Sequence, residues 1–374
     1  MSRKVVIFYM SKFSGHFHAA CAIEKGLNNI AGDIAVEKIN AGSYTNPILE
    51  KIINRAYIEV IKKKPELWGR MYDNPNVMKK TQRARDALHK FNMTKVKKLI
   101  EDRAPDAVLC TQAFPCGMMA DYKRTSGEAL TLIGVLTDHA PHSYWLYDEV
   151  DYYIVPAEET GRVLREKGVP AKKIKVYGIP VDPKFHRQHD VRRIKKDLGF
   201  RERSPVILIM GGSQGLGAVE EVVRTFSGDD GSDYQLLVVT GSNKKLYRRL
   251  RRFRKNKSGK ELCVLPYVEN IDELMEASDI IVTKAGGMTI AEALVKKLPM
   301  LIVDPIPGHE RMNADYLVKK GTAIEIKDYE HIYHEIGRLF DSRDALDRMR
   351  NKIEKLAKPD SAMDIAKLVV SSTD

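Results

Sequence analysis

The sequence predicts an α/β protein made of two doubly wound parallel-sheet domains, and three observations carry that expectation. Short apolar, β-rich runs recur along the whole chain of 374 residues. Helical patterns separate them. Several runs end directly in glycine turns that open the next helix, as in "VILIMGGSQGLGAVEEVV" and "SDIIVTKAGGMTIAEAL". Strands buried on both faces and joined by crossover helices make parallel sheets.

The elements follow in order. "VVIFYM", "IAVEKI", "AVLCTQ", "TLIGVL", "YYIVP" and "IKVYG" supply strands for the first half. "VILIMGG", "QLLVVTG", "CVLPY", "IIVTK", "MLIVD" and "AIEI" supply them for the second. Helices are expected at 16–29, 243–257, 287–297 and 361–371. "GIPVDPKFHRQHD" (178–190) holds two prolines, a glycine and little periodicity, which suits a linker. The domains are therefore expected at 1–180 and 181–357, with the C-terminal segment 358–374 packing back on the first.

The N-terminus turns polar after six apolar or aromatic residues, which suits a first strand better than a signal peptide. The apolar runs are too short to span a bilayer. Four scattered cysteines lack CxxC spacing, so reduced thiols in a cytosolic protein are the simplest expectation. At 43% hydrophobic and 30% charged, the chain can bury a core in each half.

The net charge of +12 is unevenly placed. Residues 51–100 carry 14 Lys/Arg against 4 Asp/Glu, and residues 242–260 carry 10 basic residues and no acid. The rest of the chain is mildly acidic. Two basic patches imply an anionic partner surface: phospholipid, nucleic acid or a phosphorylated substrate. In the first patch Tyr57, Trp68, Met71 and Tyr72 interleave with Lys62, Lys63 and Lys64, a mixture suited to a membrane interface or to an ordinary basic surface. In 243–257, Leu246, Leu250 and Phe253 form a packing stripe and leave a basic face for lipid, nucleic acid or solvent.

Five stretches bear on the chemistry. In "TKAGGMTIAEAL" (283–294), Gly286 and Gly287 open a helix whose bare N-terminus suits a phosphate. Ile290, Leu294 and Leu298 face the core. Glu292, about 200° from Ile290 on the helical wheel, points elsewhere and suits a ribose diol or plain solvent. "VDPIPGHERMNADYLVKKGTA" places His309 and Glu310 after a rigid loop at a strand end, with Asn313 one turn on, as groups for a hydroxyl-rich ligand or a simple helix start. "MGGSQGLG" has no Walker lysine and no strict dinucleotide fingerprint. In the first half, Gly15 and His16 occupy a strand–helix turn, where histidine is a base or a structural residue. Asp138, His139 and His142 gather after another strand. Asp138 is placed to orient a histidine, and the trio offers metal ligands that nothing else completes.

Taken together, "SGHFHAA", "LTDHAPHSYWLYDEVDYYIVPAEET", "GIPVDPKF", "IMGGSQGLG", "VLPYVENIDELMEASDIIVTKAGGMTIAEAL" and "PIPGHERMNADYLVKKGTA" resemble glycosyltransferase family 28, and within it the diacylglycerol glycosyltransferases. The resemblance spans nearly the whole chain. It implies the GT-B fold, two Rossmann-like domains facing a cleft, with inverting transfer from a UDP-sugar and no metal or other cofactor. It implies that Gly212, Ser213, Gly286 and Gly287 approach the donor diphosphate, that Glu292 binds the ribose, and that His309 and Glu310 read the hexose. Tyr267 and Val268 lie where the family's backbone contacts uracil. His16, with Gly15 beside it, stands at the acceptor hydroxyl as base or positioning group, with Asp138 as the rival base. The implied partners are a UDP-hexose, diacylglycerol and an anionic membrane surface met by the 51–100 region, with no nucleic acid. The implied location is cytoplasmic, peripherally bound to the inner face of the cell membrane. The first loop, "KFSGH", is poorer in glycine than the family's usual form. Three other functions fit parts of the pattern: GlcNAc transfer to a polyprenyl-linked peptidoglycan precursor, UDP-GlcNAc 2-epimerisation, and nucleic-acid binding through the basic runs.

Overall fold

The computed structural model describes residues 3–12, 14–30, 32–45, 91–226, 233–253 and 261–373. They group into two compact units. One comprises Met1–Pro183, Ile306–Met312 and Asp360–Asp374, and the other Lys184–Pro305 and Asn313–Pro359.

The first unit contains β1 (Lys4–Tyr9), α1 (Gly15–Ile30), β2 (Ala35–Asn40), α2 (Ala41–Thr45), β3 (Ala107–Cys110), α3 (Ala113–Ser126), β4 (Thr131–Val135), β5 (Tyr152–Ile154), α4 (Glu158–Glu166) and β6 (Ile174–Lys175). Residues 91–103 are also helical. The strands form one parallel sheet in the order β2-β1-β3-β4-β5-β6. Both faces of β1 are buried, as a crossover-covered sheet requires. Val6 and Phe8 join Val108, Leu132 and Tyr153 on one side, while Val5, Ile7 and Tyr9 join Ile23 and Leu27 of α1 on the other.

The second unit runs α5 (Val191–Asp197), β7 (Val206–Met210), α6 (Val219–Thr225), β8 (Gln235–Val239), α7 (Lys244–Phe253), β9 (Leu262–Leu265), α8 (Ile271–Glu276), β10 (Ile280–Thr283), α9 (Gly287–Val295), β11 (Met300–Val303), α10 (His309–Lys320), β12 (Ala323–Ile326), α11 (Ile332–Asp341) and α12 (Arg343–Leu356). The first turn of α10 lies in the segment grouped with the first unit. The sheet order is β12-β11-β10-β7-β8-β9, again all parallel. Ile207, Ile209, Val238 and Val282 face one apolar layer, and Leu208, Leu237 and Ile281 are equally buried on the other face.

Two expected elements come out shorter. Helix α9 stops at Val295 because Lys297 takes a left-handed turn (φ 53°), which returns Leu298 to the core. The run "IKVYG" contributes two residues to the sheet, Ile174 and Lys175, although the Gly178 N–H beyond them still donates to the Val155 carbonyl at 3.1 Å.

The last helix, α13 (Ser361–Ser372), belongs to the first unit and packs on α1. Ile365, Ala366 and Val369 are buried with Ile23 and Leu27. The Ser361 hydroxyl accepts the Val181 N–H at 3.0 Å, which fixes where the chain re-enters. A Cβ on Gly26 of α1 would stand 2.5 Å from the Ala362 carbonyl oxygen, so the two helices meet backbone to backbone. Gly26→Val is therefore expected to destabilise the protein by about 1–3 kcal/mol through overpacking. Gly32→Val, where nothing lies within 4 Å of the added carbon, is expected to change little. Urea unfolding midpoints of the two variants check this.

Candidate functional site

In the second unit the strand order reverses between β7 and β10: β8 and β9 lie to one side, β11 and β12 to the other. An open α/β sheet leaves a crevice at such a reversal, beyond the carboxyl ends of the strands. The two glycine turns of the sequence leave from these two strands. Lys284, which follows β10, lays its stem along Gly212 and Gly217, 3.7 and 3.9 Å from where their Cβ atoms would be. The loop after β7 is tight. A Cβ on Gly211 would fall 2.0 Å from the Leu216 carbonyl oxygen, and Gly215 has φ 58° with the Thr240 carbonyl pressed against it. Behind the loop, the Ser242 N–H donates to the Ser213 carbonyl (2.9 Å) and the Asn243 amide donates to the Gly215 carbonyl (3.1 Å). The other end of the Asn243 side chain accepts the Leu246 N–H at 3.0 Å and so caps α7.

Helix α9 begins beside this loop. Gly286 is its N-cap (φ −70°, ψ 132°); no side chain caps it, and the first turn holds no acid. The Gly286 N–H already donates to the Lys284 carbonyl at 2.9 Å. The donors without an intrahelical acceptor are thus those of Gly287, Met288 and Thr289, one residue later than the glycine pair suggests. Ile290, Leu294 and Leu298 are buried and seat the helix, while Glu292 on another face is partly exposed. Fully buried Asn313 donates to the Ala285 carbonyl at 3.0 Å and holds the turn from below. It is a brace for the turn, and not the open polar group that its sequence position suggests.

The neighbouring strand ends supply further groups. After β11, Glu310 is buried and accepts the Ile306 N–H at 3.1 Å, bracing the proline-rich loop, with partly exposed His309 beside it. Asp304, at φ 42°, accepts a hydrogen bond from the Tyr329 hydroxyl. Burial, together with that bond, pushes the phenol's pKa well up. After the edge strand β9 come Tyr267, 49% exposed, and Val268. Lys184 donates to the Glu269 carbonyl, and the buried Asp272 carboxylate meets Lys184 Nζ at 3.1 Å and His189 Nε2 at 3.0 Å. These bonds fix the Tyr267 segment to the linker.

In the first unit the order reverses between β1 and β3. Gly15 and His16 leave from β1, and Thr111 leaves from β3. The Thr111 hydroxyl reaches the Phe8 carbonyl (3.2 Å) and the His16 carbonyl (3.0 Å), tying the two strand exits together. The Thr137 hydroxyl, after β4, lies 3.3 Å from His16 Nδ1. His16 is partly exposed, and burial of its ring is the largest influence on it, lowering its pKa below 6.5. The charge of Asp138 opposes that shift, as does a hydrogen bond at Thr111, and His309 adds to it weakly. The segment carrying Asp138 is anchored by the Tyr153 hydroxyl, which donates to the Trp145 carbonyl and accepts the Tyr147 N–H, and by Thr160, which donates to the His139 carbonyl at 2.7 Å.

The other candidates of this half are packed into structure. Burial holds His139 near a pKa of about 4, and His142 lies against the rings of Tyr144 and Trp145. Among the described residues no group of three His, Cys, Asp or Glu is placed to hold a metal ion. Trp68, Lys62, Lys63 and Lys64 lie outside the described residues.

Comparison with known proteins adds kinship to this geometry. Residues 16–181 match the monogalactosyldiacylglycerol (MGDG) synthase family model, and residues 206–369 match the glycosyltransferase family 28 C-terminal domain. The processive diacylglycerol beta-glucosyltransferase of Bacillus subtilis is 28% identical over 356 residues, covering 95% of this chain and 91% of its own. That of Bacillus cereus (strain AH187) is 31% identical over 282 residues, 75% of this chain and 71% of its own. The chain belongs to the diacylglycerol glycosyltransferases of glycosyltransferase family 28. Its fold is GT-B: the crystal structure of Acinetobacter baumannii MurG aligns with a TM-score of 0.65 over 99% of both chains at 14% identity.

Within this family member, the strand-end glycines and His16 stand out in the sequence, whereas the residues that hold them in place do not. Thr111, Thr137 and Asn243 are single polar residues at element ends; their position just past an apolar run is the one signal they offer. Asn243→Asp keeps the acceptor that caps α7 but removes the donor to Gly215. It is expected to weaken binding of uridine diphosphate, the ligand the resemblance implies, by about five- to tenfold, the effect of one lost hydrogen bond. The thermal midpoint is expected to stay near wild type, because aspartate caps a helix as well as asparagine does. Titration calorimetry and a thermal melt on the same sample check both.

Proposed function

We propose that this transferase moves a hexose from a UDP-sugar to diacylglycerol, inverting the anomeric carbon to give a β-glycolipid, without a metal ion. The acceptor comes from kinship with the Bacillus enzymes. The supporting observation is an order. Along the carboxyl edge of the second sheet, the exit of β11 leads to His309 and Glu310. The exits of β10 and β7 carry the α9 amides with Gly212 and Ser213, and the exit of β9 carries Tyr267 and Val268. That is the order of hexose, diphosphate and nucleoside in a nucleotide sugar. Neighbouring strands are about 4.8 Å apart, so the row extends about 19 Å and suits an elongated ligand. Glu292 on α9 is the candidate for the ribose hydroxyls.

The chemistry divides between the two units. His16 acts as base. Burial favours its neutral ring, which is able to accept a proton, and with the Thr137 hydroxyl 3.3 Å from Nδ1, Nε2 is the nitrogen assigned to the acceptor hydroxyl. Asp138 stabilises the imidazolium that forms. As the acceptor oxygen attacks, the anomeric C–O bond to the diphosphate breaks, and the departing UDP gains negative charge. The N–H groups of Gly287, Met288 and Thr289, at a helix start worth about half a positive charge, meet that charge. Among the described residues no helix is long and apolar enough to cross a membrane. Peripheral attachment to the inner face of the cell membrane through the 51–100 region, with Trp68 and Lys62, Lys63 and Lys64, completes the proposal.

A panel of radiolabelled UDP-sugars with diacylglycerol vesicles is the test. His16→Ala is expected to lower transfer by about a hundredfold or more while UDP affinity stays within about twofold. A base must be unprotonated to work, and a lowered pKa keeps His16 so at more acidic pH. The midpoint of the acid limb of kcat/KM is therefore expected below pH 6.5. Loss of UDP binding in His16→Ala, or transfer to a polyprenyl acceptor in place of diacylglycerol, contradicts the proposal.

A further inference from the structure

Helix α7 (Lys244–Phe253) has no part in the chemistry above, and its charge pattern works against its own stability. Lys244, Lys245, Arg248, Arg249, Arg251 and Arg252 are all exposed, and the helix contains no acid. At 100° per residue the six cations cover an arc of about 160°. Lys244, Arg248 and Arg252 repeat at four-residue spacing, where like charges repel. Lys244 and Lys245 sit in the first turn, against the positive end of the helix dipole. Arg249 pairs with Glu220 at 2.8 Å, but among the described residues no acid meets Lys244, Lys245, Arg248 or Arg252. A local rule broken this consistently points to a requirement outside the fold.

The apolar side of the helix is already used. Leu246 and Leu250 are buried in the core of the second unit, and the Phe253 ring lies under the Arg224 guanidinium at 4.8 Å. No apolar stripe remains to enter a bilayer, so any docking is electrostatic and lies flat on headgroups. Nucleic acid presents similar phosphates. A bilayer is favoured because the acceptor proposed above is a membrane lipid, and the inference rests on that reading. We propose that the exposed cationic face of α7 is a docking surface for the anionic headgroups of a bilayer, separate from the 51–100 region. Through Asn243, which caps α7 and holds the Gly215 carbonyl, the docked helix adjoins the loop after β7.

The test measures partition of the full chain onto phosphatidylcholine vesicles with and without about 30% phosphatidylglycerol. Each basic residue near an anionic surface contributes about fivefold. K244Q/K245Q/R248Q/R252Q is therefore expected to lose at least tenfold in partition onto the anionic vesicles. K319Q/R348Q/K355Q/K358Q removes the same charge from exposed sites elsewhere on the second unit and is expected to stay within about twofold. Wild-type partition is expected to collapse at high salt, since screening weakens surface charges. UDP affinity and transfer to detergent-dispersed diacylglycerol are expected to be unchanged in the α7 variant, which shows that it is folded. Equal losses in the two variants, or no loss in the α7 variant, overturn the proposal. So does binding of random duplex DNA or RNA through α7 in preference to vesicles. If the wild type transfers no sugar to diacylglycerol, the acceptor reading fails, while the partition comparison still decides the docking surface.

Discussion

A helix that starts without a cap leaves three N–H dipoles lacking an acceptor, and α9 starts in that way where the second sheet reverses direction. Much of the surrounding detail follows from keeping that start bare and fixed. Ile290, Leu294 and Leu298 press the helix into the core, so its first turn cannot tilt to bury its own donors. Asn313 holds the Ala285 carbonyl, and the Gly286 N–H turns inward to Lys284. The loop after β7 keeps its tight path because a Cβ on Gly211 would strike the Leu216 carbonyl and one on Gly215 the Thr240 carbonyl, while Gly212 and Gly217 turn through positive φ.

The first unit repeats the same kind of topological reversal. Its sheet reverses between β1 and β3, and the residue presented there is a histidine. A neutral imidazole at ordinary pH requires that burial outweigh the field of a nearby carboxylate, and at His16 burial is the larger influence. The Thr111 hydroxyl holds the His16 carbonyl, and the Thr137 hydroxyl stands 3.3 Å from the Nδ1 of its ring.

The strands were legible in the sequence because a strand buried on both faces reads as an unbroken apolar run. "VILIM" and "MLIV" carry no polar residue to obscure them. The glycine turns were legible for a similar reason, since a close backbone approach excludes almost every other residue. What the sequence hides is pairing over distance. Thr137 and His16 are 121 positions apart, and Asn313 and Ala285 are 28 apart, so no local pattern joins them. Asn313 and Glu310 look from the sequence like groups for a ligand. In the fold Asn313 is buried and bonded to backbone, and one Glu310 oxygen is likewise committed, because a polar residue just inside a helix start can turn inward as easily as outward. The grouping of 306–312 with the first unit was equally hidden, since it depends on tertiary packing and not on any feature of the loop itself.

A crystal structure with bound UDP tests the central claim most directly. Diphosphate oxygens are expected at hydrogen-bond distance, about 3 Å, from the N–H groups of Gly287, Met288 and Thr289, with the Glu292 carboxylate at the ribose. A diphosphate held elsewhere in the chain, with those three amides facing water, would contradict it.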